Sequence, residues 1–309
     1  GLGDVYKRQY HYRQSFNKYS DPYSLDNLSS SLELAYVNLK ARHNLNFTIG
    51  KQFVNFGGYE YYVNSIRVRE FSEFNNLLTA YQAGISGNWQ VNPDHELCFQ
   101  IVNNRNGNDE DIYPTGLPEG TAKAKIPFMY TVNWNSYYLD KSLQLRYATA
   151  VGQQTRKRYS YYFTCGNTYE KGPLLTYLDV MYTRQGIDQH GVVSRLPGTP
   201  HTAMNTEYLS IIGDVDYRVH PQWNVYVKGA YETARVYKGN GDFRKGMYRR
   251  SWNAQSSVEF FPFKQLDLFV FVLYTYRGVI LEKAATRMGA IEPDTHRISL
   301  GLVYSIPVF

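Results

Sequence analysis

Charged side chains recur at alternate positions along stretches of this chain. Arg146, Asp214, Arg218, Lys228, Glu232, Glu259, Arg277 and Arg297 fall on the parity opposite to that of the large apolar residues, as do Asp179, Asp216 and Asp267. In a strand, alternate residues point to one face. These carboxylates and cations are therefore expected to gather on one side of a sheet. Charges lining a hydrated wall set the potential felt by a passing ion. The simpler reading is that they solvate that wall and pair across strands. A second group lies close together in one long connection, Val54 to Thr79, which carries Arg67 and Arg69 beside Glu60, Glu70 and Glu73. Opposed charges at a narrow point would create a transverse field and a size limit, whereas on an ordinary surface loop they would do neither.

Covalent chemistry finds little support. The histidines at 11, 43, 95, 190, 201, 220 and 296 are scattered, and no H-E-x-x-H, G-x-S-x-G or phosphate loop occurs. Asp109-Glu110-Asp111 sits among Asn and Gly without the spacing of a calcium loop, so a solvated loop is expected there. Cys98 and Cys165 lie in separate strands, fit no metal spacing and are expected to be packed or lumen-facing thiols rather than a disulfide. No metal and no cofactor is implied.

The elements that must position these residues are strands. Leu266, Leu268, Val270, Val272, Tyr274 and Tyr276 share one face of the stretch before the last connection. Ile298, Leu300, Leu302, Tyr304 and Ile306 repeat the pattern, and the chain stops on Phe309. Upstream, Leu45 to Ile49, Ala83 to Val91, Leu97 to Ile101, Phe128 to Trp134, Leu143 to Val151, Tyr159 to Thr168, Leu174 to Tyr182, Leu209 to Tyr217, Trp223 to Tyr231 and Trp252 to Phe260 alternate in the same way. Val5 to Phe16 and Leu32 to Lys40 alternate less cleanly. Short turns fall near 42, 93, 140, 171, 220 and 262, with longer connections between them except near Gln153 to Arg158. A soluble sandwich has no reason to sort its loops so. A transmembrane barrel does, with short periplasmic turns and long external loops.

Composition agrees. Mean hydropathy is −0.47, and the longest uninterrupted apolar run, Leu268 to Tyr274, is too short for a membrane helix. Barrel strands dilute their apolar residues one in two, so low hydropathy does not exclude a membrane. Aromatics reach 16%, with 30 Tyr, more than a soluble core needs and suited to the headgroup level. The net charge of +6 is scattered rather than clustered, which argues against a nucleic-acid partner. The expected fold is all-β, a transmembrane antiparallel up-and-down β-barrel of about fourteen visible strands forming one domain over 1–309. Gly1 to Gln9 read as a non-native, truncated start.

The stretch Gly50-Lys51-Gln52-Phe53, running on to Phe56-Gly57-Gly58-Tyr59-Glu60, resembles the phosphate-selective porin family in the form found in Bacteroides-type bacteria. There a strand ending in Gly-Lys is followed closely by Phe-Gly and an acidic residue, here Gly50, Lys51, Phe56, Gly57 and Glu60. The resemblance covers about Asn44 to Asn106. It implies a sixteen-stranded, usually trimeric outer-membrane channel, and it matches no phosphate-binding basic residue to a position in this chain.

The expectation is therefore a bacterial outer-membrane porin for passive diffusion of small hydrophilic solutes, anionic and phosphate-like ones among them. External basic residues (Lys123, Lys125, Arg156-Lys157-Arg158, Lys238, Arg244, Lys245, Arg249 and Arg250) would steer anions or hold the phosphates of lipopolysaccharide. The rival readings are a closed structural or ligand-binding barrel, which inward-parity Ile212, Phe269, Phe271 and Leu273 favour, then an outer-membrane hydrolase and a soluble all-β protein.

Overall fold

The computed structural model describes residues 8–12, 32–63, 70–105, 112–113, 115–199, 201–241, 243–263 and 265–304. Asp109-Glu110-Asp111, Arg67, Arg69, Ile306 and Phe309 lie outside the described residues. Among the described residues, fourteen strands follow one another in a single sheet whose order is the order of the chain. They are β1 (Arg8–Tyr12), β2 (Leu32–Arg42), β3 (Leu45–Phe53), β4 (Tyr81–Asn92), β5 (His95–Asn103), β6 (Phe128–Tyr138) and β7 (Leu143–Thr155). The second half comprises β8 (Arg158–Lys171), β9 (Leu174–Ile187), β10 (Met204–His220), β11 (Trp223–Val236), β12 (Gly246–Phe260), β13 (Leu268–Leu281) and β14 (Thr295–Tyr304). Every adjacent pair is antiparallel. The one-turn helices α1 (Glu73–Asn76) and α2 (Lys283–Thr286) sit in connections.

Every short turn falls where the sequence places it, and the long connections all emerge on the opposite side except the tight β7–β8 turn. Asp267 differs from expectation. It precedes β13, which begins at Leu268, and so lies in the turn rather than on the wall.

The two faces of the sheet separate by parity. Ile85, Phe99, Tyr130, Phe163 and Val227 each leave half of their surface exposed on one face. A contiguous apolar wall of this extent would not survive in water. It suits the hydrocarbon of a bilayer, where paired strands also satisfy every backbone group. On the other face Ser86, Gln100, Thr131, Asn133, Asp179, Ser210, Lys228, Gln255 and Ser257 are buried. Fold and polarity are thus inverted with respect to a soluble protein, as the alternation demands. Cys98 is buried on the inward face, where it accepts from Asn55 Nδ2 at 2.7 Å. Cys165 shares the outward face with its partners Tyr147 and Val180, contrary to the expected packed or lumen-facing position. Both thiols are free.

Candidate functional site

The described parts of the β3–β4 connection, 54–63 and 70–80, lie against the inward face and bond to the wall at successive places. Asn55 N donates to Gln100 Oε1 on β5 at 3.0 Å. Gly58 N donates to the Arg146 carbonyl on β7 at 3.1 Å. Tyr59 N and Glu60 N then reach the Asp179 carboxylate on β9 at 2.8 Å each. Beyond the segment 64–69 the loop returns through Glu70 and α1, which face β11 to β14.

The glycines of the Phe56-Gly57-Gly58 motif make this approach possible. Both have positive φ, +75° and +81°. A Cβ on Gly57 would lie 2.8 Å from that of Ala148, and Gly58 Cα itself fills the space above Gly166. Phe56 is buried against Tyr61 and Tyr162, with ring centroids 5.6 and 5.0 Å apart. Gly50, the first residue of the motif, has φ +128° in β3, where a side chain would strike the Ala35 carbonyl. Lys51 is buried, on the strand parity of its partners Ala35 and Ala83.

Charge complementarity holds the loop down. Wall carboxylates take loop amides: Asp179 as above, and Glu232, which accepts from Glu73 N and Phe74 N at 3.3 and 3.0 Å at the start of α1. Wall cations take loop carboxylates. Lys228 Nζ pairs with Glu60, both buried, and also donates to the Glu70 carbonyl at 2.7 Å. Arg249 and Arg277 bond the two oxygens of Glu73. Both arginines also reach Glu292 of the β13–β14 connection. Arg297 pairs with Glu70. Within the loop Glu60 accepts from Ser72 N at 3.0 Å, Ser72 Oγ at 2.6 Å and Asn75 Nδ2.

These contacts correct one expectation and extend another. Asp179, Asp214, Lys228, Glu232 and Glu259 do face inward, but they are packed rather than bathed in water, and the loop bonds directly to Asp179, Lys228 and Glu232. Arg249, expected among the external cations, is inward and buried beneath Glu73 and Glu292. Glu259 accepts from Asn224 Nδ2 at 3.1 Å. Arg146 lies over the Tyr62 ring at 4.9 Å, and Arg218 over Phe261 at 3.7 Å near the short turns. Ile212, Phe269 and Leu273 form buried apolar patches on the same face.

A second inward-packed element escaped the sequence reading. In the connection 188–203, Asp188 accepts from Gly191 N, Ser194 N and Ser194 Oγ at 2.9, 2.8 and 2.7 Å, and from Tyr208 OH. His190 is buried between Tyr208 and Phe74 of α1, so the two connections meet there. Burial, and then the Arg195 charge, push the His190 imidazole down to about 3. Its only sequence signal was a lone histidine in a long connection.

An antiparallel wall with an apolar exterior, a polar interior and a long connection folded across that interior defines an outer-membrane porin. The profile of the phosphate-selective porin O and P family matches residues 2–306, and the chain belongs to that family. It is an outer-membrane β-barrel that passes small hydrophilic solutes by passive diffusion. Among solved structures, the outer membrane channel DcaP of Acinetobacter baumannii is similar at 12% identity, covering 97% of this chain and 80% of that one, with a TM-score of 0.56. A loop L8 deletion form of OmpT from Vibrio cholerae shares 12% identity over 88% of this chain and 79% of its own, with a TM-score of 0.54. An anion-selective porin from Comamonas acidovorans shares 10% identity over 87% and 76%, at a TM-score of 0.52. These likenesses concern the fold. No curated protein sequence matches.

Proposed function

We propose that the connection 54–80 forms the constriction of the channel, and that the solutes it passes are small and anionic, phosphate-like ions among them. The observation that carries this reading is the succession of wall contacts from β5 to β14. A loop tied at Asp179, Lys228, Glu232, Arg249, Arg277 and Arg297 narrows whatever lumen the wall encloses. Of the expected pore-lining residues, Arg146, Arg218, Arg277 and Arg297 keep part of their surface free, whereas Asp214, Lys228, Glu232 and Glu259 act as anchors or wall packing. Partly exposed guanidiniums favour anions at the remaining opening. Lys123, Lys125, Lys157, Lys238 and Lys245 on the external side suit the phosphates of lipopolysaccharide. A single barrel domain assembled as a homotrimer is the organisation consistent with the family and with the trimer form of OmpT from Vibrio cholerae.

The test is single-channel conductance in a planar bilayer under a salt gradient. Stepwise openings with a reversal potential of anionic sign, and partial block by added phosphate, are expected. Openings of cationic sign would discard the anion preference while keeping the channel. A folded, heat-modifiable protein that gives no openings would instead favour a closed barrel acting through its external loops, the reading that buried Ile212, Phe269 and Leu273 support.

A further inference from the structure

The outward wall is not uniformly convex. A groove of about 1010 Å³ runs along β4 on the lipid-facing side, walled by Phe47 of β3 and by Phe99 and Ile101 of β5. Its floor is lowered at Gly87, which pairs directly with Phe47 on one side and Phe99 on the other. A Cβ at Gly87 would press on the Phe47 ring at 3.2 Å, so a larger residue there would drive aromatic bulk into the groove. From Ala83 to Trp89 the floor extends roughly 20 Å at the rise of a strand, comparable to one leaflet's worth of acyl chain.

The end of the groove nearest the short turns is polar. The β2–β3 register shifts between Lys40 and Arg42, and beyond the shift Arg42 pairs with Leu45, which pairs in turn with Trp89. Paired residues share a face, so the bulge turns Arg42 from the inward parity of Lys40 onto the outward face beside Trp89. Arg42 and Asn44 both line the groove there. A cation and an amide beside an outward tryptophan, at the periplasmic end of an apolar channel, match a phosphodiester headgroup followed by its acyl chains.

We propose that this groove holds a resident phospholipid of the periplasmic leaflet, its phosphate on Arg42 and Asn44 and an acyl chain along Gly87 between Phe47 and Phe99. The site lies on the opposite face of the wall from the constriction and does not depend on what the channel conducts.

The protein purified from outer membranes in mild detergent is examined by native mass spectrometry, with heat-modifiable gel mobility as the check that each variant is folded. The wild type is expected to retain a phospholipid on each protomer. After delipidation it should take up palmitoyl-oleoyl phosphatidylglycerol but not uncharged dioleoylglycerol. Arg42→Glu should weaken retention about tenfold or more, the loss of a charge-assisted contact. Arg42→Lys should keep most of it, and Gly87→Leu should abolish it by filling the groove. Arg42 is exposed, so its variants test the idea even where Gly87→Leu does not fold. Equal retention by wild type and Arg42→Glu would overturn the proposal, as would a wild type with no bound phospholipid. A Trp89→Cys variant that cross-links between copies in the membrane would also overturn it, by showing that another protomer covers this face.

Discussion

Lys228→Met should release the 54–80 connection from the wall. Lys228 and Glu60 are 1% and 0% exposed, so neither charge is relieved by water while the loop is seated. Removing one member of a buried pair typically costs about 3–5 kcal/mol, because the other is left as an uncompensated charge. The remaining donors to Glu60 come from Ser72 and Asn75 in the same loop and move with it. They therefore stabilise seated and released states alike and do not soften the loss. At 1.4 kcal/mol per factor of ten, the seated-to-released ratio should fall by about two to three and a half decades. Ion pairs of Glu70 and Glu73 with Arg297, Arg249 and Arg277 persist, so the loop is expected to fluctuate rather than leave altogether. In single-channel recordings the wild type should be steady and Lys228→Met should show frequent upward excursions of current. The double variant Glu60→Gln with Lys228→Met removes both charges of this pair, so neither is left uncompensated, and it should be quieter than the single one. Traces from Lys228→Met as steady as wild type, or a double variant as noisy as the single, would refute the account of the loop as held by this pair.

Three further outcomes follow from neighbouring contacts. Asp179→Asn replaces the charged acceptor of the Tyr59 and Glu60 amides and should cost about 1.5–3 kcal/mol, seen as loss of native gel mobility at lower temperature. Gly58→Ala places a side chain at φ +81° and 3.2 Å from Asp179 Oδ2, whereas Gly116→Ala has a similar φ of +74° and open space. The left-handed strain of about 1–2 kcal/mol is shared, so only Gly58→Ala should raise current noise; equal noise would place the effect in backbone strain alone. His190 has its imidazole lowered to about 3 by burial, below the ordinary value near 6.5. Below that ordinary value an opened connection 188–203 binds a proton that the packed one does not, so packing is lost progressively as pH falls toward 3 and is unaffected above neutrality. Amide hydrogen exchange over 188–203 should show opening increasing by up to tenfold per pH unit in that window, and His190→Phe should flatten the dependence.

The wall was legible because a bilayer imposes one rule on it. Each residue facing lipid must be apolar and each backbone group must be paired, so parity in Trp223 to Tyr231 or Leu268 to Tyr276 carries both strand and face. Arg249 shows where that rule was misapplied. It shares inward parity with Ser251 and Gln255, and its basic neighbours Arg250, Arg244 and Lys245 drew it into an external cluster. Counting parity rather than charge density would have placed it. The loop was legible only in part. Its glycines and acids were visible, but their partners Asp179, Lys228 and Arg277 lie more than a hundred residues away, and no local pattern encodes such pairing.

The same distance explains why so many charges stand on this interior. A loop crossing a wide wall cannot be positioned by apolar burial alone, since apolar contacts are non-directional and tolerate sliding. Carboxylates and guanidiniums discriminate position to within a hydrogen bond. Here the two sets alternate in kind: wall anions receive loop amides at Tyr59 and Phe74, and wall cations receive loop carboxylates at Glu60, Glu70 and Glu73. A register slip of the loop by one residue would part Glu60 from Lys228 and Glu73 from Arg249 and Arg277. The arrangement thus fixes one seated position, at the expense of burying ions whose removal in pairs would cost little. Buried ion pairs add little to stability over an apolar replacement, so under the proposed constriction their role in this wall is to set the register of the loop.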